Sequence, residues 1–162
     1  MSDLENFLSY RQDPEIARYQ SWEPSYSEAQ AADLINSQKA VDFPAADQWL
    51  QIGIRLQISG ELVGDLALHA LRDPDQFELG FTVATEHQGK GYAKEAARAL
   101  LDQLFTEHGA KSVVASADSR NLPSKAVLRS LGFLKQPHKS WVEEFKGETV
   151  TVEFFELLRP SR

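Results

Sequence analysis

From Trp49 to Ile58 apolar and polar residues alternate, with Ile52, Ile54, Leu56 and Ile58 on one face, and Ser59-Gly60 then turns the chain into Leu62 to Leu71. This pattern predicts a hairpin. After the turn signal RDPDQ, the stretch FELGFTVA is more continuously apolar and predicts a central strand. The period then changes. Apolar residues fall at Tyr92, Ala93, Ala96, Ala97, Leu100, Leu101, Leu104 and Phe105, a helical stripe that stops near Gly109.

SVVASA follows as a short buried strand, then NLPSKAVLRSLGF as a helix beginning near Pro123-Ser124 and stopping at Gly132. SWVEEF and TVTVEFFELL, separated by KGE, predict a closing hairpin. Before all of these, Asp3 to Tyr10 predicts a short helix and Ser27 to Gln38 a second, with Ser27 and Gln30 spaced as a capping box. The aromatic, proline-broken RYQSWEPSY between them predicts a loop. The order α-α-β-β-β-α-β-α-β-β describes a mixed α/β domain, and neither repeats nor a linker divide residues 1–162.

Composition narrows the chemistry. A length of 162 residues suits one core, and no cysteine is present, so disulfides, thiolate metal sites and a thiol nucleophile are excluded. The four histidines show no paired ligand spacing, so no metal is expected. The N-terminal MSDLENFLSYRQDPE lacks a basic segment followed by an apolar run, and no stretch is of membrane-spanning length, which predicts a cytoplasmic protein with no membrane partner. A net charge of -7 repels phosphate backbones, so nucleic acid is not an expected partner.

HQGKGYAKEA lies between the central strand and the strongest helix. A helix N-terminus there offers free N–H groups and the positive end of its dipole, and Gly89 and Gly91 remove the Cβ atoms that would keep an anion away. Such a site binds an anion without net positive charge. The same glycines serve equally well a tight strand-to-helix turn, and the spacing fits neither the dinucleotide fingerprint nor the P-loop.

Gln88-Gly89-Lys90-Gly91-Tyr92-Ala93 resembles the Q/R-x-x-G-x-G/A pyrophosphate-binding signature of the GNAT N-acetyltransferases, with Ala93 in the last place. Asn121-Leu122-Pro123-Ser124-Lys125 and Leu131-Gly132-Phe133 resemble the N-x-x-S and L-G-F segments of the ribosomal-protein N-terminal acetyltransferase-like (RimJ/RimL-like) branch, which FELGFTVA and DPEIARYQSW also resemble. The resemblance implies a GNAT fold, a mostly antiparallel twisted sheet flanked by helices. One feature departs from the branch: its opening strand has no counterpart before the first helix. The strand from Trp49 to Ile58 is therefore expected to be an edge, covered by a homodimer partner or by the N-terminal segment.

The resemblance further implies acetyl-CoA as cosubstrate and an amine acceptor, a small molecule or a protein N-terminus, with direct transfer in a ternary complex. It places the pantetheine arm beside the backbone of Thr82 and Val83, and the pyrophosphate at Gln88, Gly89, Lys90, Gly91, Tyr92 and Ala93. Asn121, Ser124 and Lys125 would complete the cofactor side, with the lysines meeting phosphates.

Glu78 matches the position of a strand glutamate that acts as base in the superfamily; a salt-bridged surface residue is the plain alternative. Many relatives use a helix tyrosine as acid where this chain has Leu128, so Ser124 is the expected proton donor, against the alternative of a helix cap. Arg18, Tyr19, Trp22 and Tyr26 would line the acceptor side by the same analogy. The closing hairpin sets Glu143, Glu144, Glu148, Glu153 and Glu156 against one lysine, Lys146, which favours a cationic amine if that face meets the cleft. The competing reading is an inactive acyl-CoA-binding or interaction domain.

Overall fold

The computed structural model describes residues 2–161. Three helices open the chain. Ser2 and Glu5 form a capping box on α1 (Asp3–Arg11), and Asp13 caps α2 (Pro14–Ala17), whose first position is a proline. The third, α3 (Glu28–Gln38), has the Ser27/Gln30 capping box predicted from spacing. The short α2 lies just before the segment predicted as a loop; Asp-Pro is its only local signal.

The strands β1 (Gln48–Arg55), β2 (Leu62–Ala70) and β3 (Gln76–Val83) form an antiparallel meander. Next, β4 (Ser112–Asp118) lies parallel to β3, reached through the fifteen-residue helix α4 (Tyr92–Thr106). After α5 (Leu122–Ser130) come the two-residue β5 (Leu134–Lys135), β6 (Trp141–Phe145) and the long β7 (Glu148–Leu158). The strand order is β1-β2-β3-β4-β7-β5, with β6 paired to β7, so the mostly antiparallel mixed α/β fold matches expectation.

Two departures are local. The first strand stops at Arg55 rather than Ile58, because Leu56 N–H and Gly60 N–H close the turn on Glu61 O and Leu56 O, leaving Ile58 exposed. The tiny β5 carries no periodic signal of its own. As expected, β1 is a sheet edge, and at one point it is capped from within: Gln51 N–H donates to Gln38 Oε1 at 2.9 Å.

Side chains of alternate sheet residues feed two clusters. Leu66, Leu68, Phe77 and Leu79 pack with Ala97, Leu101, Leu104 and Phe105 of α4 and Leu128 of α5. Each such fully buried large side chain contributes about 1.5–3 kcal/mol. On the other face a smaller cluster joins Phe7, Tyr10, Ile16 and Ala31 to Leu62 and Ala84. Asp65 is buried on that face, where Tyr10 Oη donates to it at 2.7 Å and Arg11 stands 3.6 Å away. Burial raises its carboxyl against the opposing pull of Arg11 and Tyr10.

Candidate active site

The parallel pair β3 and β4 shares only three rungs, Gln76 with Ser112, Phe77 with Val113 and Glu78 with Val114. Beyond them no ladder bond joins the two strands. Leu79, Gly80 and Phe81 then form one wall of a gap, and Ala115 to Asp118 the other. The gap is a narrow recess of about 90 Å³ beside a cleft of about 630 Å³. Tyr19, Gln20, Phe81, Asn121 and Ser124 line both.

Backbone direction decides what β3 offers the cleft. Ala84 N–H donates to Val63 O at 2.9 Å, toward β2. Thr82 O also points at β2, so close to Gly64 that a Cβ there would stand 2.2 Å from it, which is why residue 64 is glycine. Peptide groups alternate along a strand, so Phe81 and Val83 point into the gap. Thr82 lines the cleft but turns its carbonyl to β2. Val83 O is already occupied, accepting from Gln88 Nε2 at 2.9 Å. Gln88 thus fastens the glycine loop to the strand through its side chain.

Gly89 and Gly91 hold φ of 73° and 84°, and a Cβ built on either would meet nothing within 4 Å. Left-handed backbone is their local reason; an unobstructed approach to the loop is the consequence. Gly91 is the N-cap of α4 and gives it no side-chain cap, so the first N–H groups of a long helix face the cleft mouth uncapped. Tyr92 and Ala93 line the cleft there, and Tyr92 also packs on the core. Lys90 is exposed and not part of the lining; Lys94, one turn on, is.

At α5 the cap is Asn121, whose Oδ1 accepts from Ser124 N–H at 3.3 Å. Ser124 is therefore not the helix cap, and none of the described hydrogen bonds uses its hydroxyl. Lys125 is not on the cofactor side. Its ammonium is buried, donating to Ser119 O at 2.7 Å and lying 3.1 Å from Glu153, so the expectation that it meets a phosphate is corrected. Leu128 is buried in the recess wall, an apolar group with no proton to donate.

Glu78 lies on the same face of β3 as Gly80, about 7 Å along the strand, but does not itself line the cleft. Its Oε2 is 3.2 Å from Nδ1 of the cross-strand His69, whose Nε2 is 3.5 Å from Asp47. Of the acceptor-side residues, Tyr19 lines the cleft; Trp22 and Tyr26 instead surround the Arg11 guanidinium, at 3.7 and 5.4 Å, and Arg18 stands 5.3 Å from the Tyr19 ring.

Glu15, Ile16, Gln20 and His87 also line the cleft, and none of them is among the site residues expected from the sequence. Glu15 and Ile16 belong to α2, the helix that periodicity does not predict. The hairpin glutamates do not reach the cleft: Glu148 pairs with Arg120, Glu153 with Lys125 and Lys135, and Glu156 with Lys139. The carboxylate that does stand in the recess wall is Asp118, held below the usual carboxylate range by the Arg120 guanidinium.

Among the described residues no group of three or more His, Cys, Asp or Glu is arranged to hold a metal ion, and no helix is long and apolar enough to cross a membrane. The family model described as "Acetyltransferase (GNAT) domain" matches residues 1–134. An uncharacterized N-acetyltransferase p20 of Bacillus licheniformis is 29% identical over 160 residues, covering 98% of this chain and 89% of that protein. In structure, a GNAT-family acetyltransferase from Bacillus anthracis superposes with a TM-score of 0.84 at 21% identity, over 97% of this chain and 89% of that one. The spermidine N-acetyltransferase of Vibrio cholerae, solved with CoA and spermine, gives a TM-score of 0.80 at 22% identity, over 97% and 90%.

Proposed function

Because the chain belongs to the GNAT acetyltransferase family, we propose that it moves an acetyl group from acetyl-CoA to a primary amine by direct transfer, both substrates sharing one cleft. The observation that carries this reading is the separation of β3 from β4. It leaves a free strand edge, the uncapped N-terminus of α4 and the Ser124 hydroxyl facing one continuous space. Acetyl-CoA fits these residues: the open approach over Gly89 and Gly91 suits a pyrophosphate, and the N–H groups of Phe81 and Val83 suit the amides of an extended arm.

When bound, acetyl-CoA supplies an acetyl thioester, open to attack by a neutral amine. In the proposed reaction, an N–H of the β3 edge stabilises negative charge developing on the acyl oxygen. Ser124 Oγ holds a proton for the departing sulfur, and Glu78 takes the amine proton through water, since its carboxylate stands off the cleft by two strand positions. Tyr19 and Gln20 bound the space where the amine approaches, and Asp118, ion-paired with Arg120, adds carboxylate hydrogen-bond acceptors at its end. With no cysteine in the chain and residues shared by both parts of the cleft, a ternary complex is the simplest route.

The ordered motifs, from DPEIARYQSW through Asn121 and Ser124 to Leu131-Gly132-Phe133, support a reading of the chain as a RimJ/RimL-like acetyltransferase. Leu128 favours one rival, a domain that binds acyl-CoA without turning it over. A panel of amines, including spermidine and a peptide with a free N-terminus, separates the two when CoA release is followed with mass detection of product. Tight CoA binding without acetylated product from any amine would establish the rival.

A further inference from the structure

The two-residue turn between β6 and β7 reaches the segment that follows α2. Lys146 Nζ donates to Ala17 O at 2.7 Å and to Trp22 O at 2.6 Å, and stands 3.5 Å from Glu23 Oε1. Ala17 ends α2, and its carbonyl also accepts from Gln20 N–H at 3.0 Å. One oxygen therefore joins the lysine directly to a residue that lines both parts of the cleft. Between the two tethered carbonyls lie only residues 18–21, which include Tyr19 and Gln20.

The turn itself argues against an incidental contact. Lys146 has φ 51° and Gly147 φ 79°, the left-handed pair of a tight hairpin turn. Asn, Asp or Gly suits the first of those positions better than Lys, so the local turn chemistry does not call for this side chain. Its long stem and three donors are used instead on carbonyls more than a hundred residues away in sequence.

We propose that Lys146 is a positioning residue for the acceptor: it holds residues 18–21 over the cleft and so fixes where Tyr19 and Gln20 meet the incoming amine. The catalytic consequence rests on the acetyltransferase reading above; the tether does not. The cofactor side is untouched by Lys146, since Gly89, Gly91 and the β3 edge are held by other bonds.

Lys146→Asn tests this cleanly, because Asn accepts the left-handed turn but cannot span to Ala17 or Trp22. Hydrogen exchange should accelerate at residues 18–22 by about tenfold, the scale of losing charge-assisted hydrogen bonds, while β6 and β7 stay protected. For spermidine or a short peptide with a free N-terminus, whichever the wild-type protein acetylates, KM should rise severalfold with CoA affinity by calorimetry unchanged. Lys146→Arg, which keeps donors and charge, should restore most of both readouts.

Unchanged exchange at residues 18–22 in Lys146→Asn overturns the tether. Faster exchange with an unchanged amine KM overturns the positioning role and leaves only a structural one. If the wild-type protein acetylates neither amine while binding CoA, it is the functional reading that fails, and exchange alone still decides the tether.

Discussion

On one side of the cleft, the loop from Gln88 to Tyr92 is held by glycine conformation, by Gln88 bonds to the Val83 and Thr85 carbonyls and by a helix anchored in the main core. On the other, residues 13–23 are held by side chains reaching from distant elements. Thr85 Oγ1 donates to Asp13 at 2.6 Å, Lys146 to Ala17 and Trp22, and Trp22 Nε1 to Arg11 O at 3.0 Å. The first side is made of backbone and the second of side chains. A backbone-built site binds what every member of a family must bind, because few substitutions alter it. A side-chain-built site can be retuned one residue at a time, which suits the half that meets a variable acceptor.

The largest effects should come where the two sides meet. General acid–base assistance is worth about 10²–10⁴-fold, so Glu78→Gln and Ser124→Ala should each lower kcat within that range while CoA affinity stays near wild type. Raising pH supplies more neutral amine and should partly restore Glu78→Gln, but not Ser124→Ala. A Ser124→Ala variant with wild-type kcat would remove the serine from the chemistry, and a Glu78→Gln variant with a wild-type rate at every pH would leave Glu78 as the hydrogen-bond partner of His69 alone.

Gly91→Asp should be the next largest and should strike only the backbone-built side. An aspartate there places a carboxylate against the donors that a pyrophosphate needs, and losing charge-assisted hydrogen bonds of roughly 1.5–3 kcal/mol corresponds to about a 10–10²-fold or greater fall in CoA affinity. Calorimetry on the folded variant measures it. Equal affinity for CoA would break the comparison at its root, by showing that the helix terminus is not where the anion sits.

The same contrast explains what is legible in the sequence. Periodicity and glycine placement are local, so the meander, α4, and the turn at Gly89 and Gly91 can be read from the order of residues alone. The N-x-x-S motif is legible too, although Asn121, not Ser124, is the cap. The acceptor side is not, since Tyr19 reaches the cleft and Trp22 does not through contacts with α1 and the β6–β7 turn. The directions of the Lys125 side chain and of the Thr82 carbonyl are not legible for a related reason: they depend on neighbours such as Glu153 and Gly64, remote in sequence.

The smallest expected effect concerns acid. Glu153 is held below the ordinary carboxylate range, chiefly by the Lys135 ammonium and then by Lys125, with burial opposing. A carboxyl lowered in the fold contributes stability that is present above its unfolded pKa and is lost as pH falls through its folded one. Asp65 runs the other way. Burial raises it, so its contribution is complete below the unfolded pKa and is lost as pH rises through the folded value. Acidification should therefore loosen the α5–β7 junction beneath Ser124 while sparing the Asp65 site under α1. Lys135 is partly exposed, which screens that part of the network. Glu153→Gln should accordingly make the fall in Tm between neutral pH and the acid side of the carboxylate range shallower than in wild type, by roughly 2–4 °C if the network contributes about 1 kcal/mol. Identical acid limbs in the two proteins would show that the charges around α5 do not hold it, and that its packing through Leu128 and Phe133 is sufficient.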